Sequence, residues 1–315
     1  MRTARSRGAL AAALALIALP LAACGNDSGS PPSGSASKGK VTIGSADFGE
    51  SQIIASMYSQ ALQKAGYEVT DKFKIGSREV YIKSLESGQI DVVPEYVGTL
   101  TEYYNAEING KDAPKTKPLS SPDVEKTFAN LKGLVAKKNL VALTPSDAAD
   151  QNAFAVTKAF ADTNSLAKMS DLAKLNGQLI LGAGPECPTR PFCQPGLEST
   201  YGLKFKEFKA LDSGGSKTLA ALADGSINLG LVFSSDGAVA AQNLVILEDD
   251  KKLQNADNIL ALARSSLPAG AQQVVDKVNQ ALTTEKLQEL NKKFSVDKED
   301  AKDLAAQFLK DAGLV

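Results

Sequence analysis

Apolar and polar positions along this chain change period repeatedly, and the changes mark strands and helices in alternation. Val41-Thr-Ile-Gly-Ser45 is a short apolar run closed by a turn signal, and Glu50 to Ala65 follows with Ile53, Ile54, Met57, Ala61 and Leu62 at helical spacing. Val69 to Ile75 alternates as a second strand, Ser77 to Ser87 reads as a helix with Ser77 at its N-cap, and Gln89 to Val93 is a third strand. Pro122 to Lys138 is an amphipathic helix, and Leu140 to Leu143 a strand ending in the turn Thr-Pro-Ser-Asp. Strands alternating with helices predict an α/β lobe with a largely parallel sheet.

A second set of the same kind follows. Phe154 to Thr157, Leu179 to Gly182, Phe205 to Ala210 and Ile227 to Phe233 read as strands, separated by a helix capped by Ser170, a short helix after Gly196 and a helix from Ser216. Leu244 to Leu247 is expected to lead back to the first set, on which three helices, around 269–282, 284–293 and 298–312, would close. The 276 residues from Lys40 to Val315 exceed the usual single core. The expected fold is α/β and bilobal, with lobe 1 from 40–146 plus 247–315 and lobe 2 from 147–246. Two crossover strands, hinging near 143–153 and 243–248, would leave a cleft between the lobes.

An internal echo supports two matching lobes. Leu85-x-x-Gly88-x-Ile90 recurs as Leu222-x-x-Gly225-x-Ile227, and six residues beyond each isoleucine stands an aromatic, Tyr96 and then Phe233. Ligands in open α/β sheets bind beyond the carboxyl ends of strands, so both rings are expected to face one cleft. The alternative is that two helix–strand units share a common hydrophobic pattern.

The first residues follow a different rule. Arg2, Arg5 and Arg7 precede an apolar run from Ala9 to Ala23 broken by Pro20, the pattern of a secretory signal over residues 1–23. That run is shorter than the roughly 20 apolar residues that span a bilayer. Leu21-Ala22-Ala23-Cys24 resembles a bacterial lipobox, which implies a lipidated Cys24 anchored by its acyl chains; an ordinary signal peptide with Cys24 inside it is the alternative. Residues 24–39 then read as a flexible linker reaching on the order of 20 Å. The localisation this implies is extracytoplasmic, at the cell membrane.

Composition removes several function classes. Without the three signal arginines, 32 basic residues face 36 acidic ones, with no basic stripe to suit nucleic acid. There is no histidine, which excludes Ser-His-Asp and Cys-His nucleophile systems and leaves a metal site poor in ligands. Neither a cofactor nor a catalytic set is expected. An enzyme of the same bilobal fold would have to build its chemistry from Cys187 and Cys193.

Three segments carry a family resemblance across 40–312. Gly44-Ser45-x-x-Phe48-x-Glu50, Gly76-Ser77-Arg78-Glu79-Val80-Tyr81 and Asp91-Val92-Val93-Pro94-Glu95-Tyr96-Val97-Gly98-Thr99 resemble the glycine betaine, carnitine, choline and proline binding proteins of osmoprotectant ABC importers. That resemblance implies a monomeric, non-enzymatic binding protein that takes a small solute to an ABC permease. A quaternary ammonium has no hydrogen-bond donor, so aromatic faces hold it by cation–π attraction, while an Arg fork or hydroxyl suits a ligand carboxylate. By resemblance Tyr96 is one wall of the cage, Thr99 a donor, and Arg190 the carboxylate clamp with Glu186 beside it. Ser45, Asn152, Phe154, Phe233 and Asp236 complete the expected ligand set.

The chain departs from the family's cage. Asn152-Ala-Phe154 and Phe233 stand where tyrosines are usual, and Gln-Asn-Ala-Asp-Asn occupies 254–258, where a last tyrosine is expected. Losing that ring predicts drifted ligand preference. Cys187 and Cys193, six apart in a Pro-rich loop of an exported chain, read as a disulfide stiffening the Arg190 segment; free thiols or a metal pair are the alternatives. Ser213-Gly-Gly-Ser216 could hold an anion before a helix, but it lacks a P-loop lysine and reads better as a turn.

Overall fold

The computed structural model describes residues 37–315 apart from 238, 240 and 241. The expected signal segment, Cys24 and most of the linker lie outside the described residues. One sheet contains β1 (Lys40–Gly44), β2 (Glu68–Lys72), β3 (Val92–Tyr96), β4 (Leu140–Ala142) and the late strand β10 (Ile259–Arg264), in the order β2-β1-β3-β10-β4. The other contains β5 (Asn152–Thr157), β6 (Leu179–Ala183), β7 (Phe205–Ala210), β8 (Leu229–Phe233) and β9 (Leu244–Ile246), in the order β7-β6-β8-β5-β9. Each sheet has an apolar core on both faces, so the fold is two α/β lobes of one topology.

In each lobe four strands run in one direction and a fifth runs against them. β1 pairs parallel with β2 and β3, and β6 with β7 and β8. β10 is antiparallel to β3 and β5 antiparallel to β8. Both reversed strands have just crossed from the other lobe, so each enters its sheet at the carboxyl end of its neighbour: Ile259 pairs with Tyr96, and Asn152 with Phe233. The crossings therefore open onto the carboxyl ends of β3 and β8.

The crossings also pair with each other. Ser146 N donates to Ile259 O at 2.7 Å, Ile259 N to Ala148 O at 2.9 Å and Asp150 N to Asp257 O at 3.1 Å. The second crossing thus lies further along than the expected 243–248. Beyond β9 the chain stays on the second lobe: Leu247 is buried in its core, and Leu253 packs on the same core.

The echo has a structural basis. Gly88 and Gly225 both sit at φ +76°, a left-handed turn that favours glycine. Ile90 and Ile227 are buried, and each presses on a glycine of a neighbouring strand: a Cβ on Gly44 would lie 2.5 Å from Ile90 Cδ1, and one on Gly182 2.4 Å from Ile227 Cδ1. The repeated pattern is one packing solution used twice.

Three features differ from the sequence reading. β10 is unanticipated because Ile-Leu-Ala-Leu-Ala, buried on both faces, shows no alternation and uses good helix formers. Helices at Val97–Asn109 and Lys158–Asn164 are likewise additional. Where Ser170 was expected to cap a helix, Met169–Leu175 is a 3-10 segment; Asp171 accepts from the Ala167 and Lys168 amides, and the Ser170 hydroxyl donates to Asp250. Cys187 and Cys193 form a disulfide with Cα atoms 5.2 Å apart, as expected for the loop that carries Arg190.

Candidate functional site

A cavity of about 320 Å³ lies between the carboxyl ends of β3 and β8. Its wall is aromatic and drawn from both lobes. Phe48, in the turn after β1, stacks on Tyr96 of its own lobe at 6.3 Å between centroids and on Phe233 of the other lobe at 5.4 Å, with interplanar angles of 29° and 30°. Such offset pairs contribute roughly 0.5–1.5 kcal/mol beyond the area they bury. Phe233 is seated against Gly214, where a Cβ would come within 3.1 Å of its ring.

The floor is a buried ionic network in the first lobe. Arg78, at the start of the helix Arg78–Glu86, donates from Nε and Nη2 to the two carboxylate oxygens of Glu95 at 2.8 and 2.7 Å. Nη2 also donates to the Thr99 hydroxyl at 2.9 Å, and the Tyr81 hydroxyl donates to Glu95 at 2.8 Å. This bidentate pairing satisfies the buried arginine within the protein. Thr99 therefore reaches the cavity with its hydroxyl already accepting.

Two carboxylates stand on the crossings. Asp257 Oδ1 accepts from the backbone amides of Gly98 and Thr99 at 2.7 and 3.0 Å, at the N-terminus of the helix Val97–Asn109. Burial nonetheless pushes its pKa up to about 7, against the lowering effect of Thr99, Arg78 and Gly98. Asp150 Oδ1 accepts from Ser235 N at 2.9 Å and from the Ser234 hydroxyl at 3.2 Å. Burial and the charge of Glu50 push Asp150 well above the usual carboxylate range.

Glu50 ties the lobes behind this wall. It accepts from Tyr96 Oη at 2.6 Å, Ser235 Oγ at 2.8 Å and Asn291 Nδ2 at 2.5 Å. Burial raises its pKa, while these three partners lower it and Asp236 raises it. At the cavity's opposite side Arg190 Nη2 donates to Glu79 of the first lobe at 3.1 Å, and Nη1 lies 3.6 Å from Glu186. Glu79 is pushed up by partial burial but held down to about 2 by the Arg190 charge and the Ser77 hydroxyl.

Two lobes meeting in an aromatic, charge-lined cleft make a candidate binding site, and sequence comparison says to which family the chain belongs. The profile of the substrate binding domain of ABC-type glycine betaine transport system matches residues 39–311. The chain belongs to this family. It is similar to the glycine betaine-binding protein YehZ of Escherichia coli (strain K12), 28% identical over 286 residues that cover 87% of this chain and 90% of the relative. The carnitine transport binding protein OpuCC of Listeria monocytogenes is 24% identical over 288 residues, 89% of each. Among solved structures, apo YehZ from Escherichia coli superposes with a TM-score of 0.59 at 27% identity, covering 88% of this chain and 99% of that one. Lactococcal OpuAC in its closed conformation with glycine betaine shares the fold at 16% identity, with a TM-score of 0.61 over 87% of this chain and 96% of that one. The protein is a substrate-binding protein and not an enzyme.

Within this binding protein the expected ligand residues fall into two groups. Tyr96, Thr99, Asn152, Arg190 and Phe233 line the 320 Å³ cavity. Ser45 is buried beneath it, where its hydroxyl donates to Ala46 O and accepts from Lys74 N, joining the turns after β1 and β2. Phe154 shares a face of β5 with Asn152 but sits one pleat, roughly 6.6 Å, further from the cleft, and is buried in the second lobe's core. Asp236 lines a neighbouring cavity of about 750 Å³ on the far side of the Phe48–Phe233 stack. Phe48, Arg78, Asp150 and Asp257 also line the site without having been expected there. The family motifs contain Phe48 and Arg78, whereas Asp150 and Asp257 leave no local signal, being brought in by the pairing of the crossings.

Proposed function

We propose that this protein is the extracytoplasmic, lipid-anchored binding component of an ABC importer, which closes its lobes on an ammonium-bearing small solute and presents it to a membrane permease. The observation that carries the reading is the stack of Phe48, Tyr96 and Phe233, contributed by both lobes to one cavity. A cation over such faces gains roughly 0.5–2 kcal/mol per ring, and gains the share of Phe233 together with that of Phe48 and Tyr96 only when the lobes are together. A ligand shifts the equilibrium to the closed form only through contacts that the closed form makes better.

The membership of the family supports the importer role, and the relatives that bind glycine betaine or carnitine support an ammonium solute. Arg2, Arg5, Arg7, the apolar run to Ala23 and Cys24 support export and anchoring. The test is calorimetric titration of the 37–315 region, which holds both sheets and their cores, with glycine betaine, choline and carnitine. Saturable one-to-one heat that disappears in Phe233→Ala supports the reading, and absence of heat with every ammonium solute defeats it. For the anchor, Cys24→Ala should move the protein from the membrane fraction to the medium.

A further inference from the structure

The cations that line the cleft are largely occupied, whereas two of its buried acids have no cation as a hydrogen-bond partner. Arg78 is committed to Glu95 and Thr99, and Arg190 to Glu79 and Glu186. Lys217 remains, exposed at the rim, where water and salt screen it. A ligand carboxylate entering this cavity would meet Asp150, Asp257, Glu186 and Asp212 without an uncommitted guanidinium to receive it.

Asp150 and Asp257 are 3% and 5% exposed, and the Asp150 N to Asp257 O hydrogen bond sets them next to each other across the paired crossings. Asp257 Oδ1 accepts from the Gly98 and Thr99 amides and Asp150 Oδ1 from the Ser234 hydroxyl and the Ser235 amide, with the Thr99 and Ser235 hydroxyls also bonding to the respective carboxylates. Both carboxylates line the cavity beside the rings of Phe48, Tyr96 and Phe233. A carboxylate can accept about four hydrogen bonds, so each of these acids retains capacity for a further donor. A quaternary ammonium offers no such donor, but a protonated amine or a guanidinium does.

Building on the binding reading above, we infer that this cleft selects a compact organic cation bearing N–H donors and no carboxylate, a protonated amine or guanidinium, whose N–H groups reach Asp150 and Asp257 while its carbon faces the three rings. The cavity's 320 Å³ is at the small end of ligand sites, which suits a solute of this size. The raised pKa values of both acids agree with the assignment, because a bound cation is the charge that would ionise them.

The experiment is calorimetric titration of the 37–315 region with ethanolammonium, agmatine, choline and glycine betaine, in the wild type, Asp257→Asn and Asp150→Asn, with circular dichroism confirming that each variant folds. The expected result is that ethanolammonium or agmatine binds at least about ten-fold more tightly than choline or betaine, the worth of one charge-assisted hydrogen bond. Each Asp→Asn change should then weaken the N–H cation about ten-fold or more and choline by less than about three-fold. Betaine or choline binding most tightly, with affinities indifferent to both Asn variants, overturns the inference and leaves the importer reading standing. Failure of all four probes on folded protein overturns both.

Discussion

Arg190 of the second lobe donates to Glu79 of the first at 3.1 Å, so the residue that family resemblance assigns to a ligand's carboxylate is bound here to a carboxylate of the protein. The pair spans the mouth of the cleft and joins the two lobes. Its side chains are 30% and 41% exposed, so solvent screens it and its worth falls to roughly 0–1 kcal/mol. Closure of the ligand-free protein should therefore depend on salt. Small-angle scattering is expected to show the radius of gyration rising between low salt and about 0.5 M, where the Debye length is well below 10 Å. In Glu79→Gln the radius should be larger at low salt and insensitive to it; a wild-type radius that ignores salt rules out the latch.

The same pair has a defined pH window. Glu79 is held down to about 2, so its contribution is present above the ordinary glutamate pKa and is lost as pH falls from there toward 2. Scattering at low salt should show the latch intact at pH 5, weakening below the ordinary glutamate pKa and released by about pH 2. An acid profile identical in Glu79→Gln would show that other carboxylates govern the opening.

Asp257 works in the opposite direction. Its pKa is raised to about 7, so the folded protein holds a proton there that the unfolded chain releases near pH 4, and stability falls as pH rises between those values. The groups facing it are Arg78, Thr99 and the Gly98 amide from the first lobe, with Asp150 on the paired crossing. Asp257→Asn keeps an oxygen for the two helix amides and removes the buried charge. It is expected to be more stable than the wild type at pH 8 by roughly 1–3 kcal/mol, and near parity at pH 4, by denaturant unfolding. Equal stability at both values would contradict the assignment. Binding of a cation should strengthen as pH rises through about 7 and lose that dependence in the variant.

Arg78 and Glu95 test the first lobe by itself. Their side chains are 6% and 0% exposed, so removing one partner strands a charge in the core. Glu95→Gln is expected to destabilise by about 3–5 kcal/mol in chemical denaturation, whereas a surface pair such as Lys158 with Asp162 should cost under about 1 kcal/mol. A Glu95→Gln protein as stable as the wild type would mean that water reaches this site.

The stack of Phe48 on Phe233 links binding to closure. Phe233→Ala removes one ring of the wall and one side of the interlobe contact, and should weaken any cation by about ten-fold. Phe233→Tyr keeps the face and should retain affinity within about three-fold. Equal losses in both variants would point to the shape of the pocket rather than to its π faces.

Much of this site could be seen in one dimension because its parts are local. The repeated Leu-x-x-Gly-x-Ile unit foretold two rings at the ends of equivalent strands, since a left-handed glycine and a buried isoleucine are short-range requirements. The Pro-Glu-Tyr-x-Gly-Thr segment named Tyr96 and Thr99 by family resemblance, because a contiguous motif is legible in one dimension. The gap at 254–258 looked like simple loss of a tyrosine, yet it places Asp257 on a helix N-terminus beside Arg78. Nothing near residue 257 in the chain announces that, because its partners belong to another strand and another helix.

Local pattern alone dictated two α/β units, the order of most of their elements, two of the three ring positions and the stiffened loop around Arg190, since period, turn chemistry and short spacings act between near neighbours. Tertiary structure decided which charges are already neutralised, which acids are buried beside the rings and how the lobes meet. Those outcomes depend on antiparallel strands arriving from the opposite lobe, and on burial that turns an ordinary aspartate into one awaiting a cation.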